Sequence, residues 1–333
     1  MKKLRPADRI CVLGAGLWGT ALADHLARRG RPVRLWELFQ DAANRLQKTR
    51  RHPHMPDFTL APGVRVDSDL GACLSGAGTV LMVVPSAFVR KTARSLAPHL
   101  GTARNGPTFI NASKGVEPGS LRTMGEAILE ELPFLEDRLF TLSGPSFAKE
   151  VARGVPTRLV LAGRAGPRAS AALKLFSGGA IRAEHSPDRV GVELGGSLKN
   201  VLAIGCGVLD GVGAGANTKA AFIVAGMREM GALIERLGGR RETIFGLAGL
   251  GDMIATGSSA QSRNRTLGEK LGSGRTLAKA LREIPTVAEG VESALSAHTL
   301  AKAGGLKCPL VEAVYRVVHR GAAAATVVKA LGF

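Results

Sequence analysis

The sequence has few of the residues that build disulfide networks, metal sites and aromatic nucleic-acid platforms. Aromatic residues make up 4% of the 333 residues, and Tyr315 is the single tyrosine. The four cysteines form no Cys-x-x-Cys pair, and the seven histidines lack metal-ligand spacing. We therefore expect no disulfide scaffold, zinc ribbon or other metal site. The sequence around each cysteine is apolar or glycine-rich, which is typical of buried free thiols in a reducing cytoplasm. The four cysteines are Cys11, Cys73, Cys206 and Cys308.

No stretch has the pattern of a signal peptide or a membrane span. The basic start, residues 1–5, is followed by Asp8 and Arg9 instead of a long apolar run. The apolar stretch 201–218 is interrupted by Asp210 and five glycines, which favours a buried helix over a transmembrane one. We expect a cytoplasmic protein that does not insert into a membrane.

Basic residues exceed acidic ones, 45 Lys and Arg against 27 Asp and Glu, so the formal net charge is +18. This excess fits a nucleic acid, an anionic membrane surface or a phosphorylated small substrate as partner. The densest stretch, residues 28–51, holds eight Lys and Arg with no aromatic ladder, so we expect no nucleic-acid partner. His52 and His54 follow it in a proline-flanked loop and are expected to face solvent.

The first half of the chain alternates short apolar runs with helical patterns. The runs are continuous, which is typical of parallel strands covered by helices on both faces. Several end at an abrupt change of chemistry, the place where such sheets bind ligands. We predict strands at residues 10–13, 32–36, 79–84, 108–110, 139–142 and 158–162.

Beyond about residue 190, long helical patterns and glycine-rich turns replace the strands. A length of 333 residues fits two domains. We predict a dinucleotide-binding α/β domain over residues 1–187, with a doubly wound, mostly parallel sheet. An all-helical substrate domain is predicted over residues 188–333.

A glycine motif follows the first predicted strand and opens a helix. Gly14 would form a tight turn, Gly16 would let the backbone approach a pyrophosphate, and Gly19 would allow close helix–strand packing. The helix N-terminus would offer free N–H groups to the phosphates. This context predicts a dinucleotide site.

Glu37 follows the second predicted strand, eighteen residues after Gly19. A carboxylate there can bind the ribose 2′-hydroxyl of NAD and repel the 2′-phosphate of NADP. We expect NAD or NADP as cofactor, with Glu37 favouring NAD. Arg34 and the basic residues 45–51 could reverse that preference, since arginines can accept the extra phosphate.

A lysine lies among small residues in the second half. Gly191, Gly195, Lys199 and Ala203 recur every four residues and share one helix face, where a backbone or ligand can come close. Apolar residues on the other faces predict a buried helix. A buried lysine requires a partner, and Asp252 is a candidate. Such a lysine can polarise a ketone and donate a proton as hydride arrives from a nicotinamide.

Ser262, Arg263 and Asn264 combine a bidentate cation with two polar groups, which suits a phosphate dianion. We predict that Thr266 and Glu269 form a capping box that opens the next helix. Lys114, in the loop after a predicted strand, could contact both substrate and nicotinamide.

Seven blocks of this sequence resemble bacterial NAD(P)-dependent glycerol-3-phosphate dehydrogenases along nearly the whole chain. They are Gly14-Ala-Gly-Leu-Trp-Gly-Thr20, Val84-Pro-Ser86, Ser113-Lys-Gly115, Leu142-Ser-Gly-Pro-Ser-Phe-Ala148, Gly195-Gly-Ser-Leu-Lys-Asn200, Gly246-Leu-Ala-Gly-Leu-Gly-Asp252 and Ser262-Arg-Asn264. The resemblance implies a Rossmann domain followed by a helical domain. It also implies reversible reduction of dihydroxyacetone phosphate to sn-glycerol 3-phosphate, which feeds glycerophospholipid synthesis, and a homodimer.

The resemblance also implies roles for matching residues. Lys199 would transfer the proton, with Asp252 and Lys114 as further catalytic residues. The substrate contacts would be Lys114, Gly144, Ser146, Lys199, Asp252, Ser262, Arg263 and Asn264. The cofactor contacts implied by the resemblance would be Trp18, Lys114, Ala148, Arg263, Val287 and Glu289, in addition to Gly14, Gly16, Gly19 and Glu37, which the motif itself predicts. Glu37 is a departure, since many NADP-using members of the family lack an acid there. Leu17 departs from the serine usual in the family, but backbone N–H groups carry most pyrophosphate binding.

Two other functions fit parts of the sequence. One is another Rossmann-plus-helical dehydrogenase that acts on a 2-hydroxy acid or sugar acid; Arg263, Asn264 and the lack of a catalytic histidine disfavour it. The other is a nucleotide-sensing protein that binds nucleic acid through its positive charge. It would bind in a salt-sensitive way, but it gives no reason for Lys199, Asp252 and Arg263.

Overall fold

The structure is a computed structural model that describes residues 9–100, 106–284 and 288–332. The chain divides into two compact units. The first unit comprises residues 1–114 and 124–187, and the second comprises residues 115–123 and 188–333. The predicted division at 187/188 differs from these units in one segment, residues 115–123, which belongs to the second unit. Val116 of this segment lies in the hydrophobic core of that unit.

Strands and helices alternate through the first unit. The strands are β1 (Arg9–Leu13), β2 (Val33–Trp36), β3 (Val64–Asp67), β4 (Ala77–Met82), β5 (Thr108–Asn111), β6 (Leu139–Ser143), β7 (Thr157–Ala162), β8 (Ser177–Gly178) and β9 (Ile181–Ser186). The helices are α1 (Leu17–Arg28), α2 (Gln40–Thr49), α3 (Leu70–Leu74), α4 (Val89–Leu96), α5 (Met124–Glu131), α6 (Ala148–Ala152) and α7 (Pro167–Leu175).

Within the described residues the strands form one sheet in the order β3-β2-β1-β4-β5-β6-β7-β9-β8. Strands β1 to β6 pair in parallel, whereas β7 is antiparallel to β6 and β8 is antiparallel to β9. The order reverses between β1 and β4, which makes the crevice at their carboxyl ends a ligand-binding place. The predicted mostly parallel Rossmann sheet is confirmed.

Alternate residues of β1 explain why a buried parallel strand has a continuous apolar sequence. Ile10 and Val12 belong to the core on one face of the sheet. Cys11 and Leu13 belong to the core on the other face. Burial of the Cys11 side chain raises the pKa of its thiol, and the nearby Cys73 raises it further. A raised pKa is expected for an unreactive buried cysteine.

Three strands lack the sequence pattern that identified the others. In β3, buried and exposed residues alternate, and in β9 only Ile181 is fully buried. The strand β8 has two residues. These strands lie at or near the sheet edges, where half-exposed sequences resemble loops.

The second unit is helical apart from the isolated bridge between Val116 and Thr123, within the residues that the structure describes. Its helices are α8 (Arg189–Gly211), α9 (Gly215–Arg236), α10 (Asp252–Ser258), α11 (Arg263–Gly272), α12 (Leu277–Arg282), α13 (Gly290–Ala303), α14 (Pro309–Arg320) and α15 (Ala325–Lys329). This confirms the predicted all-helical C-terminal part.

The helix α8 forms the centre of the second unit. Every residue from 191 to 209 is buried, and α9, α10, α11, α13 and α14 all pack against it. Among the described helices, α8 alone is long and apolar enough to cross a membrane, yet its apolar window is wholly enclosed by protein. Such burial is typical of a core helix that is apolar on all sides.

Asp188 fixes the start of α8. One carboxylate oxygen accepts a hydrogen bond from the Gly191 N–H at 2.9 Å. The other accepts from the Arg240 N–H at 2.8 Å and from the Thr243 hydroxyl at 2.5 Å. A helix cap thus also holds the turn Arg241–Phe245 that leads to Asp252.

Glycines allow α8 and α11 to cross with their backbones in contact. A Cβ built on Gly207 would lie 1.9 Å from the Arg265 carbonyl oxygen, and one on Gly268 would lie 1.9 Å from the Ile204 carbonyl oxygen. Both distances are far inside van der Waals contact. The crossing therefore requires glycine on both helices.

Gly268→Ala is expected to lower the free energy of unfolding by about 3 kcal/mol or more, since the new methyl group meets rigid backbone. Gly63→Ala is the control, because its Cβ would meet only the Ala27 side chain at an ordinary 3.8 Å. That variant should stay within about 0.5 kcal/mol of the wild type. Urea denaturation of both variants tests this, and equal stabilities would contradict the proposed close crossing.

Candidate active site

The glycine turn between β1 and α1 has the geometry of a pyrophosphate cradle. Gly14 has φ +106°, and a Cβ there would lie 2.8 Å from the Val83 carbonyl oxygen. A Cβ on Gly19 would lie 1.9 Å from the Gly14 carbonyl oxygen. A Cβ on Gly16 would meet nothing within 4 Å, so the backbone there faces open space.

This open position fits a dinucleotide phosphate. Gly16 is the N-cap of α1 and, being glycine, has no side chain that could cap the helix. The first turn of α1 contains no acidic residue. The first N–H groups of a helix have no intrahelical acceptor and attract anions. Trp18 packs partly buried against the core beneath. The residues present therefore fit the predicted cofactor.

His52 lies against the same turn, contrary to the expectation that it faces solvent. It is 7% exposed. Burial and the neighbouring His54 lower the pKa of His52, while a hydrogen bond with the Ala15 backbone acts in the opposite direction. The loop sequence gave no sign of this burial because it is set by packing distant in the chain.

Glu37 lies at the carboxyl end of β2. Its N–H donates to the Asp67 carbonyl oxygen at 2.9 Å, and its carboxylate accepts from the Phe39 N–H at 3.2 Å. Two arginines of the nearby basic segment bond to carbonyl oxygens elsewhere: Arg50 to those of Ala61 and Val64, and Arg51 to that of Pro56. The carboxylate is thus held at the strand end by local backbone.

Lys114 and Ser146 converge on one carbonyl group of the first unit. The Lys114 Nζ and the Ser146 hydroxyl each donate to the Gly144 carbonyl oxygen at 3.0 Å. Gly144 has φ +123°, which favours glycine. Ala148 begins α6, which packs against α1. The structure therefore brings together Lys114, Gly144 and Ser146, three of the residues that the resemblance implies as substrate contacts.

Lys199 and Asp252 form a buried pair in the second unit. The lysine is 6% exposed and the aspartate 4% exposed. The Lys199 Nζ lies 3.1 Å from the Asp252 Oδ2. Two charges removed from water in this way require close pairing and additional hydrogen bonds. The predicted partnership is present in the structure.

Thr256, which the sequence analysis did not identify, completes this cluster. Its hydroxyl accepts a hydrogen bond from the Lys199 Nζ at 2.6 Å and donates to the Asp252 carbonyl oxygen at 2.6 Å. The same hydroxyl lies 3.1 Å from the Asp252 Oδ1. Its spacing of four residues from Asp252 on α10 was the available signal, because helix positions i and i+4 lie on one face.

The glycine loop before Asp252 lies directly against α8. Residues Leu247–Gly251 form a π-helical turn, a conformation often found at functional sites. A Cβ on Gly195 would lie 3.5 Å from the Gly249 backbone nitrogen, and one on Gly249 would lie 1.9 Å from the Ile244 carbonyl oxygen. The loop therefore lies in ordinary contact with the α8 face that carries Lys199, and its own turn requires glycine at position 249.

The residues of the Ser262-Arg263-Asn264 triplet have different environments. Ser262 is buried and caps α11, its hydroxyl accepting from the Arg265 N–H at 3.2 Å. The predicted capping box at Thr266 is wrong, because α11 begins at Arg263 and Thr266 lies inside it. Arg263 is exposed at the first helical position. Such a position places a guanidinium beside N–H groups that favour anions.

Asn264 links α11 to the start of α13. Its Oδ1 accepts from the Gly290 N–H at 3.0 Å, next to the predicted cofactor contact Glu289, which is the N-cap of α13. The structure therefore gives Asn264 a positioning contact. Val287, the other predicted cofactor contact in this region, lies outside the described residues.

Two family models match this chain. The N-terminus of NAD-dependent glycerol-3-phosphate dehydrogenase matches residues 9–167, and the C-terminus of the same enzyme matches residues 188–329. Glycerol-3-phosphate dehydrogenase [NAD(P)+] of Geobacter sulfurreducens is 42% identical over 315 residues, which cover 94% of this chain and 93% of the relative. The corresponding protein of Syntrophotalea carbinolica is 42% identical over 313 residues, covering 93% and 92%.

A solved structure gives the same result. The crystal structure of glycerol-3-phosphate dehydrogenase from Coxiella burnetii is similar to this chain with a TM-score of 0.90 and 35% identity. The similarity covers 97% of this chain and 98% of that one. The chain therefore belongs to the NAD-dependent glycerol-3-phosphate dehydrogenase family.

Proposed function

We propose that the chain catalyses the reversible NAD(P)H-dependent reduction of dihydroxyacetone phosphate to sn-glycerol 3-phosphate in the cytoplasm, as a precursor for glycerophospholipids. The buried cluster of Lys199, Asp252 and Thr256, in a chain of this family, is the observation that carries the proposal. The homodimer implied by the family resemblance stays a prediction, as does the lack of a nucleic-acid partner.

The first unit holds the dinucleotide, which when bound supplies the hydride for the ketone carbon. Gly16 and the first turn of α1, which includes Gly19, bring backbone N–H groups to the pyrophosphate. Gly14 forms the turn itself, since its N–H donates to the Trp36 carbonyl oxygen and a side chain there would clash with backbone. The further contacts proposed for this unit are Trp18, Glu37, Lys114 and Ala148. Those proposed for the second unit are Arg263, Val287 and Glu289.

Lys199 donates the proton that the ketone oxygen needs. As the carbonyl carbon gains a hydride, negative charge develops on its oxygen, and an ammonium at that oxygen stabilises the charge and transfers a proton. Asp252 supplies the counter-charge, and Thr256 restricts the Nζ to one position. In the reverse direction the same amine accepts the proton of the alcohol.

Arg263 binds the substrate phosphate. Its guanidinium can form two parallel hydrogen bonds to a phosphate, which gives both affinity and orientation. Exposure at the N-terminus of α11 supports this role. Lys114, Gly144, Ser146, Ser262 and Asn264 are the other proposed substrate contacts, with Ser262 acting mainly through the helix cap.

The two alternatives account for less of the structure. A dehydrogenase for 2-hydroxy acids or sugar acids would bind a carboxylate, which carries one negative charge. Arg263 at a helix N-terminus suits the two negative charges of a phosphate better. A nucleic-acid-binding sensor would have no use for a lysine that is 6% exposed inside a helical unit. Neither alternative requires the hydrogen bonds of Thr256.

Purified protein is expected to oxidise NADH when dihydroxyacetone phosphate is added, measured by the loss of absorbance at the nicotinamide band. Pyruvate and other ketones with a carboxylate should give turnover at least about 100-fold slower, because the phosphate contacts are unused. Faster turnover of a carboxylate ketone would contradict the proposal. Salt-sensitive DNA binding without any turnover would favour the sensor.

Lys199→Ala is expected to lower kcat by about 100-fold or more, the usual size of a general acid contribution. Lys199→Arg should lose a similar factor, because a guanidinium keeps the charge beside Asp252 but does not release its proton. Lys302→Ala, an exposed lysine on α13, is the control and should match the wild type. Turnover by Lys199→Arg near the wild-type rate would exclude proton transfer by Lys199.

Glu37 is expected to make NADH the better cofactor. The variant Glu37→Gln removes the negative charge that repels a 2′-phosphate. It should raise kcat/KM for NADPH relative to NADH by about tenfold, which corresponds to the free energy of one hydrogen bond to a charged group. Asp41→Asn, an exposed acid four residues later, should leave the ratio unchanged. A wild-type preference for NADPH would contradict the assignment.

A further inference from the structure

Ser197 forms two hydrogen bonds although it faces neither solvent nor the Lys199 ammonium. It lies two residues before Lys199 on α8 and is 1% exposed. Its hydroxyl donates to the Glu193 carbonyl oxygen one turn earlier at 2.8 Å. The same oxygen accepts from the backbone N–H of Gly115 at 2.8 Å. Both hydrogen-bonding functions of the hydroxyl are therefore used.

The second of these bonds is unusual for a helical serine. Inside helices, Ser and Thr commonly return a hydrogen bond to the carbonyl four residues earlier, and Glu193 provides that bond here. Gly115 is 82 residues away in sequence and lies outside any helix. The bond to Gly115 thus has no role in forming α8.

Gly115 directly follows Lys114. The peptide bond between them is planar, so an anchored Gly115 N–H fixes the plane of that peptide and the ψ angle of Lys114. At the other end of the lysine, Nζ donates to the Gly144 carbonyl oxygen at 3.0 Å. Lys114 is therefore restrained at two points, at the peptide bond that follows it and at the Nζ of its side chain.

The segment that starts at Gly115 is itself held in place. Val116 is buried in the core of the second unit and pairs with Thr123 in an isolated bridge. The Glu117 N–H donates to the Arg122 carbonyl oxygen at 2.8 Å. Ser197 thus anchors the first residue of an ordered segment, immediately after the lysine.

We propose that Ser197 is a positioning residue that orients Lys114 through the Gly115 amide, without itself contacting substrate or dinucleotide. Loss of the hydroxyl leaves the buried Gly115 N–H without this acceptor, and relief of that cost requires the Lys114–Gly115 peptide to rotate or shift. A shift of about 1 Å in a reacting group can cost a large factor in rate. This inference rests on the proposed role of Lys114 in the reaction.

The test is a double-mutant cycle with dihydroxyacetone phosphate and NADH. Ser197→Ala is expected to lower kcat/KM about tenfold, and Lys114→Ala is expected to lower it by a larger factor. In the Lys114→Ala background, Ser197→Ala should change kcat/KM less than about twofold, because the residue that it positions is gone. A purely structural role would give the same factor in both backgrounds.

Two further variants separate the hydroxyl from packing. Ser197→Thr keeps the oxygen that accepts from Gly115 and should retain at least about half of the wild-type turnover. Thr299→Val removes a hydroxyl that donates to the Leu295 carbonyl oxygen in the same i−4 manner on α13. It should leave kcat/KM for dihydroxyacetone phosphate within about twofold of the wild type.

The outcomes distinguish the inference from the function on which it depends. Wild-type turnover by Lys114→Ala would overturn both the role of Lys114 and the positioning role. Impaired Lys114→Ala with multiplicative effects in the double mutant would overturn the positioning role alone. Equal losses in Ser197→Thr and Ser197→Ala, at unchanged melting temperature, would also overturn it, since the hydroxyl would not be the cause.

Discussion

The buried pair of Lys199 and Asp252 is the constraint on which the second unit depends. An ammonium that is 6% exposed at the middle of the central helix is tolerated only if a carboxylate and a hydroxyl approach it closely. Asp252 and Thr256 do so at 3.1 and 2.6 Å. That approach requires α10, which carries both Asp252 and Thr256, to lie against α8 at the level of Lys199.

Glycine makes this approach possible, and it has the same function elsewhere in the protein. Gly249 shapes the loop before Asp252, Gly207 and Gly268 admit crossing backbones, and Gly14 and Gly19 shape the turn for a pyrophosphate. In each case the missing Cβ lets main chain meet main chain or ligand. Close backbone contacts of this kind explain part of the high number of glycines in this sequence, which is 43.

Sequence patterns predicted the parts of the structure that local chemistry determines. Continuous apolar runs marked the central strands because both faces of the sheet are covered, whereas β3 and β9, with one half-exposed face, resembled loops. The motif around Lys199 and Asp252 was visible as a lysine among small residues and an acid in a glycine loop. The spacing of Asp252 and Thr256 on one helix face was a local signal, but the bond from Lys199 to Thr256 joins two helices. The burial of His52 and the anchoring of Gly115 likewise depend on contacts between distant segments, which no local pattern records.

The triplet at the start of α11 shows why a motif does not assign equal roles to its members. A helix that presents an arginine to an anion must first have its own N-terminus capped, and Ser262 does this from a buried position. It must also be fixed relative to the neighbouring chain, and the bond from Gly290 to Asn264 does that. Arg263 alone of the three is exposed. In the proposed function Arg263 binds the phosphate, while Ser262 and Asn264 act on the placement of the helix that carries it.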